Sequence, residues 1–87
     1  MVSQKVIIKN PSGLHARPAS ILVQEAGKCK SNIILVYGEK RVPAKSILNL
    51  MAAAIKSGSE VVGECSGETE EEDLKKIVAL IESGLGE

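Results

Sequence analysis

His15, the only histidine in the chain, lies in the run Gly13-Leu14-His15-Ala16-Arg17-Pro18-Ala19, and its neighbours there define the chemistry open to it. Imidazole is the one side chain that offers a neutral nucleophilic nitrogen near neutral pH, with an unperturbed pKa of ~6.5. Pro18 is tolerated in a helix only within the first turn, where its missing N–H has no intrahelical partner to lose. A helix therefore starts within a residue or two of His15, and Gly13 supplies the tight turn that leads into it. The first turn of a helix presents free N–H groups and a partial positive charge, which together cradle an anion. Arg17 adds a planar cation suited to phosphate in the same turn. Nucleophile, anion cradle and guanidinium point to a histidine that accepts a phosphoryl group and passes it on. The loose transition state of phosphoryl transfer asks for positioning and charge neutralisation more than covalent assistance. Ser12 occupies a loop position from which its hydroxyl would reach the same phosphate.

The elements that must position this loop follow from spacing. Lys5-Val6-Ile7-Ile8 is a strand, ended by the turn cluster Asn10-Pro11-Ser12-Gly13. From Ala16 to about Ala26, residues Ala19, Leu22, Val23 and Ala26 recur at helical spacing and form one buried face, with Gly27 as the expected stop. Ile33 to Tyr37 is a β-branched strand that Gly38-Glu39 turns back into Lys40-Arg41-Val42, and Pro43 keeps that strand short and at a sheet edge. Ser46 through Ile55 forms a second, short helix ending near Gly58, and Glu60 to Ser66 a fourth strand. Thr69 and Glu72 have capping-box spacing ahead of a last helix, in which Leu74, Ile77, Val78, Ile81 and Leu85 form the apolar stripe. The order is β-α-β-β-α-β-α. A four-stranded, mostly antiparallel sheet with three helices on one face buries all of these stripes, an α+β arrangement.

Composition excludes several classes. The 87 residues form one domain, 1–87, whose 44% hydrophobic content with a single aromatic, Tyr37, implies a core of Ile, Leu, Val and Ala. Eleven basic and eleven acidic side chains leave no net charge, against the basic excess expected of a nucleic-acid binder. The acids gather at Glu68 to Asp73, so the His15 half is locally more positive and suits an acidic partner or a phosphoryl group. No stretch has the apolar length of a signal peptide or a membrane span, so a cytoplasmic protein is expected. Cys29 and Cys65 are too few for a disulfide scaffold and lack metal-site spacing; both are expected reduced and buried as small apolar residues.

The run Gly13-Leu14-His15-Ala16-Arg17-Pro18-Ala19 closely resembles the active-site signature of HPr, the histidine-containing phosphocarriers of the bacterial sugar phosphotransferase system, and the resemblance extends over essentially the whole chain. It implies an open-faced β-sandwich with antiparallel strand pairing. It also implies that enzyme I, drawing on phosphoenolpyruvate, phosphorylates one ring nitrogen of His15 (Nδ1 in the family), and that the group moves on to sugar-specific enzyme IIA. Arg17 corresponds to the charge partner. No cofactor and no metal are implied, and a monomer is expected. The chain would be a substrate of kinases and transferases rather than a stand-alone enzyme. A nitrogen-related phosphotransferase carrier is the same chemistry serving another pathway.

Ser46 is by itself an ordinary N-cap, worth about 1 kcal/mol. The resemblance adds regulation: in HPr of many Gram-positive bacteria the matching serine is phosphorylated by a dedicated ATP-dependent kinase, HPr kinase/phosphorylase. A phosphate of about −2 charge is tolerated at a helix N-terminus and adds charge to a neighbouring docking surface. The second helix is apolar nearly all round (Ile47, Leu48, Leu50, Met51, Ala52, Ala53, Ala54, Ile55), more than one buried stripe requires. The family's docking patch implies Ile47, Leu48 and Met51 as exposed contacts, with Leu50 turned inward. Ile21 and Gln24, off the core stripe of the first helix and on the Arg17 side, extend the patch. Ala53-Ala54 replaces a more usual Leu-Gly pair and is expected to lengthen the second helix. A regulatory module acting on a catabolite-control transcription factor through Ser46 is the alternative; HPr-like proteins of that kind lack the active-site histidine, which this chain keeps. An RNA-binding α/β domain would need a basic stacking face, which is missing.

Overall fold

The computed structural model describes residues 1–87, in which seven elements follow one another: β1 (Val2–Ile7), α1 (Ala16–Lys28), β2 (Asn32–Tyr37), β3 (Lys40–Pro43), α2 (Ile47–Ala53), β4 (Glu60–Ser66) and α3 (Glu70–Glu82). The strands form one sheet in the order β1-β4-β2-β3, every neighbouring pair antiparallel. Alternation sets which face is buried. Val6, Ile33, Leu35, Val42, Val61 and Cys65 point inward, and the register pairs Val6 with Val61, Ile33 with Cys65 and Leu35 with Val42. A slip of one residue would turn any of these strands' apolar sets to solvent, so the register is strongly specified. The other face carries Lys5, Glu60 and Arg41 into solvent, which leaves the sandwich open on that side. Pro43, with no N–H to give a ladder, sits on edge strand β3.

The three helices cover the inner face. α3 lies over β1 and β4 through Leu74, Ile77, Val78 and Ile81, and α2 lies beside β3. α1 packs against both other helices with Ala19, Leu22 and Ala26 on its buried stripe. Together with the inward strand residues these make one continuous core.

Local signals mark element ends less well. α1 runs through Gly27, which lies exposed inside the helix, and ends at Cys29, whose backbone turns extended (φ −87, ψ 144). Gly27 needs no left-handed conformation there and so does not stop the helix. α2 is shorter than expected. Ala54 takes a left-handed φ of 52 and its N–H bonds the Met51 carbonyl, which terminates the helix without a glycine. The reason is tertiary: Ile55 is buried and its carbonyl accepts from Leu14 N–H at 2.9 Å, a position that a longer helix would lose. Thr69 makes no side-chain cap bond; its hydroxyl donates instead to Asp73 Oδ2 at 2.7 Å. Asp73 is buried and also receives Ser31 Oγ–H (2.6 Å) and Ser31 N–H (3.1 Å), so its need for donors takes the threonine from the cap. β1 begins at Val2 and stops before Ile8, and Leu85 reaches the core from the turn after α3 rather than as part of its stripe.

Candidate functional site

The segment before α1 is built from backbone pairing. Gly13 N–H donates to the Asn10 carbonyl (3.1 Å), and buried Asn10 returns Nδ2–H to the Gly13 carbonyl (2.6 Å). Leu14 is buried, and its N–H bond to Ile55 fastens the loop to the segment after α2. Gly13 itself has φ +67, and a Cβ there would lie 2.6 Å from the Ile55 carbonyl oxygen and 2.8 Å from Ser57 N. Only glycine fits this approach of two backbones.

His15 is the N-cap of α1. Its carbonyl accepts from Ala19 N–H at 2.8 Å, while its side chain makes no capping bond and is exposed. The ring is therefore held at its root and free at its nitrogens. It lines an open cleft of ≈ 520 Å³ together with Ser12, Met51, Ala54, Lys56 and Ser57. Arg17 stands exposed in the first turn, and Pro18, the next residue, is buried. No acidic residue lies in that first turn, so nothing on α1 opposes the positive field at its start.

One carboxylate does approach the loop. Glu87 Oε2 accepts Ser12 Oγ–H at 2.6 Å, and Oε1 accepts Ser12 N–H and Asn10 Nδ2–H, each at 3.1 Å. These bonds, the Ser12 hydroxyl first, hold the Glu87 carboxyl below its ordinary value, and the charge of Arg17 adds to the effect. The Ser12 hydroxyl, placed by its loop position to reach a phosphate, is here bonded to this carboxylate. Asn10 Oδ1 is buried without a partner, since the Asn10 amide faces acceptors on its donor side only.

The remaining predicted residues divide by exposure. Ser46 caps α2, its Oγ accepting from Asn49 N–H (3.3 Å) and Asn49 Nδ2–H (2.9 Å). Leu48 is 79% exposed, Met51 39% and Ile47 37%, whereas Leu50 is 0% exposed, so α2 divides between solvent and core within one turn. Met51 is the one of these that shares the His15 cleft. Gln24 is exposed, but Ile21 is half-buried against the core, its Cδ1 3.0 Å from where a Cβ on Gly86 would stand. Ile21 stands outside the buried stripe of α1 but shares part of its surface with the core. Lys56 and Glu87 also reach the site, which the sequence reading did not anticipate. No local spacing ties these two to His15; Lys56 arrives through the Leu14–Ile55 pairing and Glu87 through the turn after α3, whereas Asn10 is held locally by its bonds with Gly13.

Elsewhere, burial pushes the Cys65 thiol up to about 11 and also raises that of Cys29, so neither is a thiolate nucleophile near neutral pH. No helix is long and apolar enough to cross a membrane.

Comparison with known proteins gives a consistent result. The family model for the PTS HPr component phosphorylation site matches residues 2–83. The HPr-like protein Crh of Bacillus subtilis (strain 168) is 44% identical over 82 residues, 94% of this chain and 96% of that protein. Phosphocarrier protein HPr of Mycoplasma capricolum is 43% identical over 77 residues, 88% of this chain and 86% of its own length. The crystal structure of HPr-C-His from Thermoanaerobacter tengcongensis is 44% identical with a TM-score of 0.95, covering 100% of this chain and 98% of that one.

Proposed function

The chain belongs to the HPr family, the phosphocarrier proteins of the bacterial phosphotransferase system, and on that basis we propose that His15 accepts a phosphoryl group from phosphorylated enzyme I and passes it to a sugar-specific enzyme IIA. Proteins of this family carry the group rather than catalyse a reaction. The observation that carries the proposal is the His15 ring: exposed, without a capping bond, at the start of α1 with Arg17 in the same first turn. A lone pair on a ring nitrogen of His15 attacks phosphorus as the bond from phosphorus to the donor breaks and returns its electron pair to the donor atom. The second transfer is the same exchange with His15 as the leaving group. The N–H groups at the start of α1 and Arg17 meet the charge that arrives with the phosphoryl group.

Ile47, Leu48 and Met51 form the apolar surface that docks the partner proteins, and Gln24 borders it. Ser46 lies directly before Ile47 and Leu48, so a phosphate there places about −2 charge at the edge of that surface and weakens docking. The chain works as a monomer in the cytoplasm and binds no nucleic acid, in keeping with its zero net charge.

Incubation with enzyme I and labelled phosphoenolpyruvate tests the reading. The wild-type chain takes up an acid-labile label, and His15→Ala takes up none; undiminished labelling of that variant overturns the assignment. Arg17→Ala keeps the fold and transfers more slowly, and a normal rate removes the charge-partner role. A second reading, a regulatory protein acting through Ser46 on a catabolite-control transcription factor after modification by HPr kinase/phosphorylase, is favoured by the 44% identity to the HPr-like protein Crh. The two separate on the same assay, since a purely regulatory protein takes no label from enzyme I.

A further inference from the structure

Lys56 is the only lysine or arginine lining the cleft that holds His15, and no carboxylate lines it. Arg17, in the first turn of α1, lies outside that lining. The backbone of Lys56 is fixed against the histidine loop: its carbonyl carbon would lie 3.0 Å from a Cβ on Gly13, two residues before His15. The preceding residue, Ile55, accepts Leu14 N–H at 2.9 Å, and the Lys56 carbonyl accepts Ser59 N–H at 3.1 Å. The Lys56 side chain is exposed and makes neither an ion pair nor a hydrogen bond within the chain. Lys5, Lys28 and Arg41 by contrast pair with carboxylates, and Lys45 is drawn to the Cys29 carbonyl. Glu87, the carboxylate that reaches the loop, is held by Ser12 and Asn10 and leaves Lys56 unpaired. Lys56 thus resembles His15 in having a root held in place and a free head.

An unneutralised cation in a cleft draws anions into it. A lysine ammonium is a compact charge on a flexible four-carbon stem with three donors, suited to an anion that arrives and leaves. We propose that Lys56 is a second cation of the phosphoryl site: when His15 carries a phosphoryl group, the Lys56 ammonium donates N–H bonds to its oxygens from the cleft side. The inference rests on the reading that His15 is phosphorylated. Lys56 makes no bond to phosphorus; it meets charge as the group arrives and loses that contact as the group departs. The pair lies in water, where an ion pair is weak, so the contact steadies the phosphohistidine without trapping it.

Lys56→Gln removes the charge and Lys56→Arg keeps it, and at an exposed position both variants retain the fold. Each full chain is phosphorylated with enzyme I and phosphoenolpyruvate and separated from enzyme I. The protonation midpoint of the phosphohistidine is then followed by phosphorus NMR. A nearby cation disfavours protonation, so the midpoint is expected to rise in Lys56→Gln by about 0.2–0.7 of a pH unit, the scale of an exposed charge pair. Lys56→Arg is expected to match the wild type. The equilibrium with enzyme I is expected to favour the phosphorylated chain less in Lys56→Gln, by about 1.5- to fivefold. Identical midpoints in wild type and Lys56→Gln overturn the proposal and leave the carrier function standing. If in that case the KM for enzyme I rises, the cation serves acidic groups of the partner instead. A wild-type chain that takes no label at His15 overturns the carrier function itself.

Discussion

Gly13→Ala puts the architecture of the His15 loop to a quantitative test. Gly13 has φ +67, a conformation that costs an L-residue with a Cβ about 1–2 kcal/mol. The added methyl would also stand 2.6 Å from Ile55 O, 2.8 Å from Ser57 N and 3.0 Å from the Lys56 carbonyl carbon. All three are backbone atoms, so no rotamer change relieves the contact, and overpacking of this kind costs a further 1–3 kcal/mol or so. The expected loss is about 3 kcal/mol in all, against a total of roughly 5–15 kcal/mol for a small domain. Gly38→Ala is the natural control. Gly38 has nearly the same φ, +61, with nothing within 4 Å of its would-be Cβ, so only the conformational cost of about 1–2 kcal/mol applies. Urea denaturation of both variants and the wild type, compared at common m-value, isolates the steric contribution by difference. Gly13→Ala should also slow phosphorylation, because the displaced backbone carries the Leu14–Ile55 hydrogen bond that sets the position of His15. If Gly13→Ala proves no less stable than Gly38→Ala, the close backbone approach beneath the histidine loop is wrong.

Asp73→Asn should cost about 2 kcal/mol at pH 7, since the buried carboxylate receives Ser31 and Thr69 donors. Those bonds, that of the Ser31 hydroxyl first, lower the Asp73 carboxyl from its ordinary 3.8 to about 2 in the folded chain. Its stabilising contribution is therefore complete above pH ~4 and fades as pH falls toward 2, so the urea midpoints of wild type and variant should converge over that window; a constant gap would refute the assignment. Leu48→Ala should change stability by less than about 0.5 kcal/mol, and Leu50→Ala should cost about 3 kcal/mol, as their 79% and 0% exposures require. Calorimetric titration of enzyme I with Leu48→Ala should show weakened binding; unchanged affinity removes Leu48 from the docking surface. Cys29 and Cys65, both buried with raised thiol values, should resist a thiol reagent at pH 8 until denaturant is added, and rapid modification of the native chain would contradict their burial.

Much of this molecule is legible before any coordinates. Pro18 and Gly13 place a helix start at His15 because a proline's missing N–H and a glycine's positive φ are local constraints. The alternation of Val61, Gly63 and Cys65 marks β4 with its observed limits, Glu60–Ser66, because period-2 burial is also local. Helix ends were less legible. Ala54 closes α2 in a left-handed conformation, which alanine's propensity argues against, because Ile55 has to reach both the core and Leu14 N–H. Thr69 left its expected cap for Asp73, whose requirement for donors becomes visible only once the carboxylate is seen to be buried.

The histidine, its arginine, the helix that begins beside them and the seven-element order were thus determined by the chain's own spacing, since each depends on neighbours a few residues away. That Met51 and Lys56 share the histidine's cleft, and that Glu87 holds Ser12, was decided by tertiary structure alone. Such contacts depend on how sheet register and helix packing bring distant segments together, and no short-range pattern of residue types records that geometry.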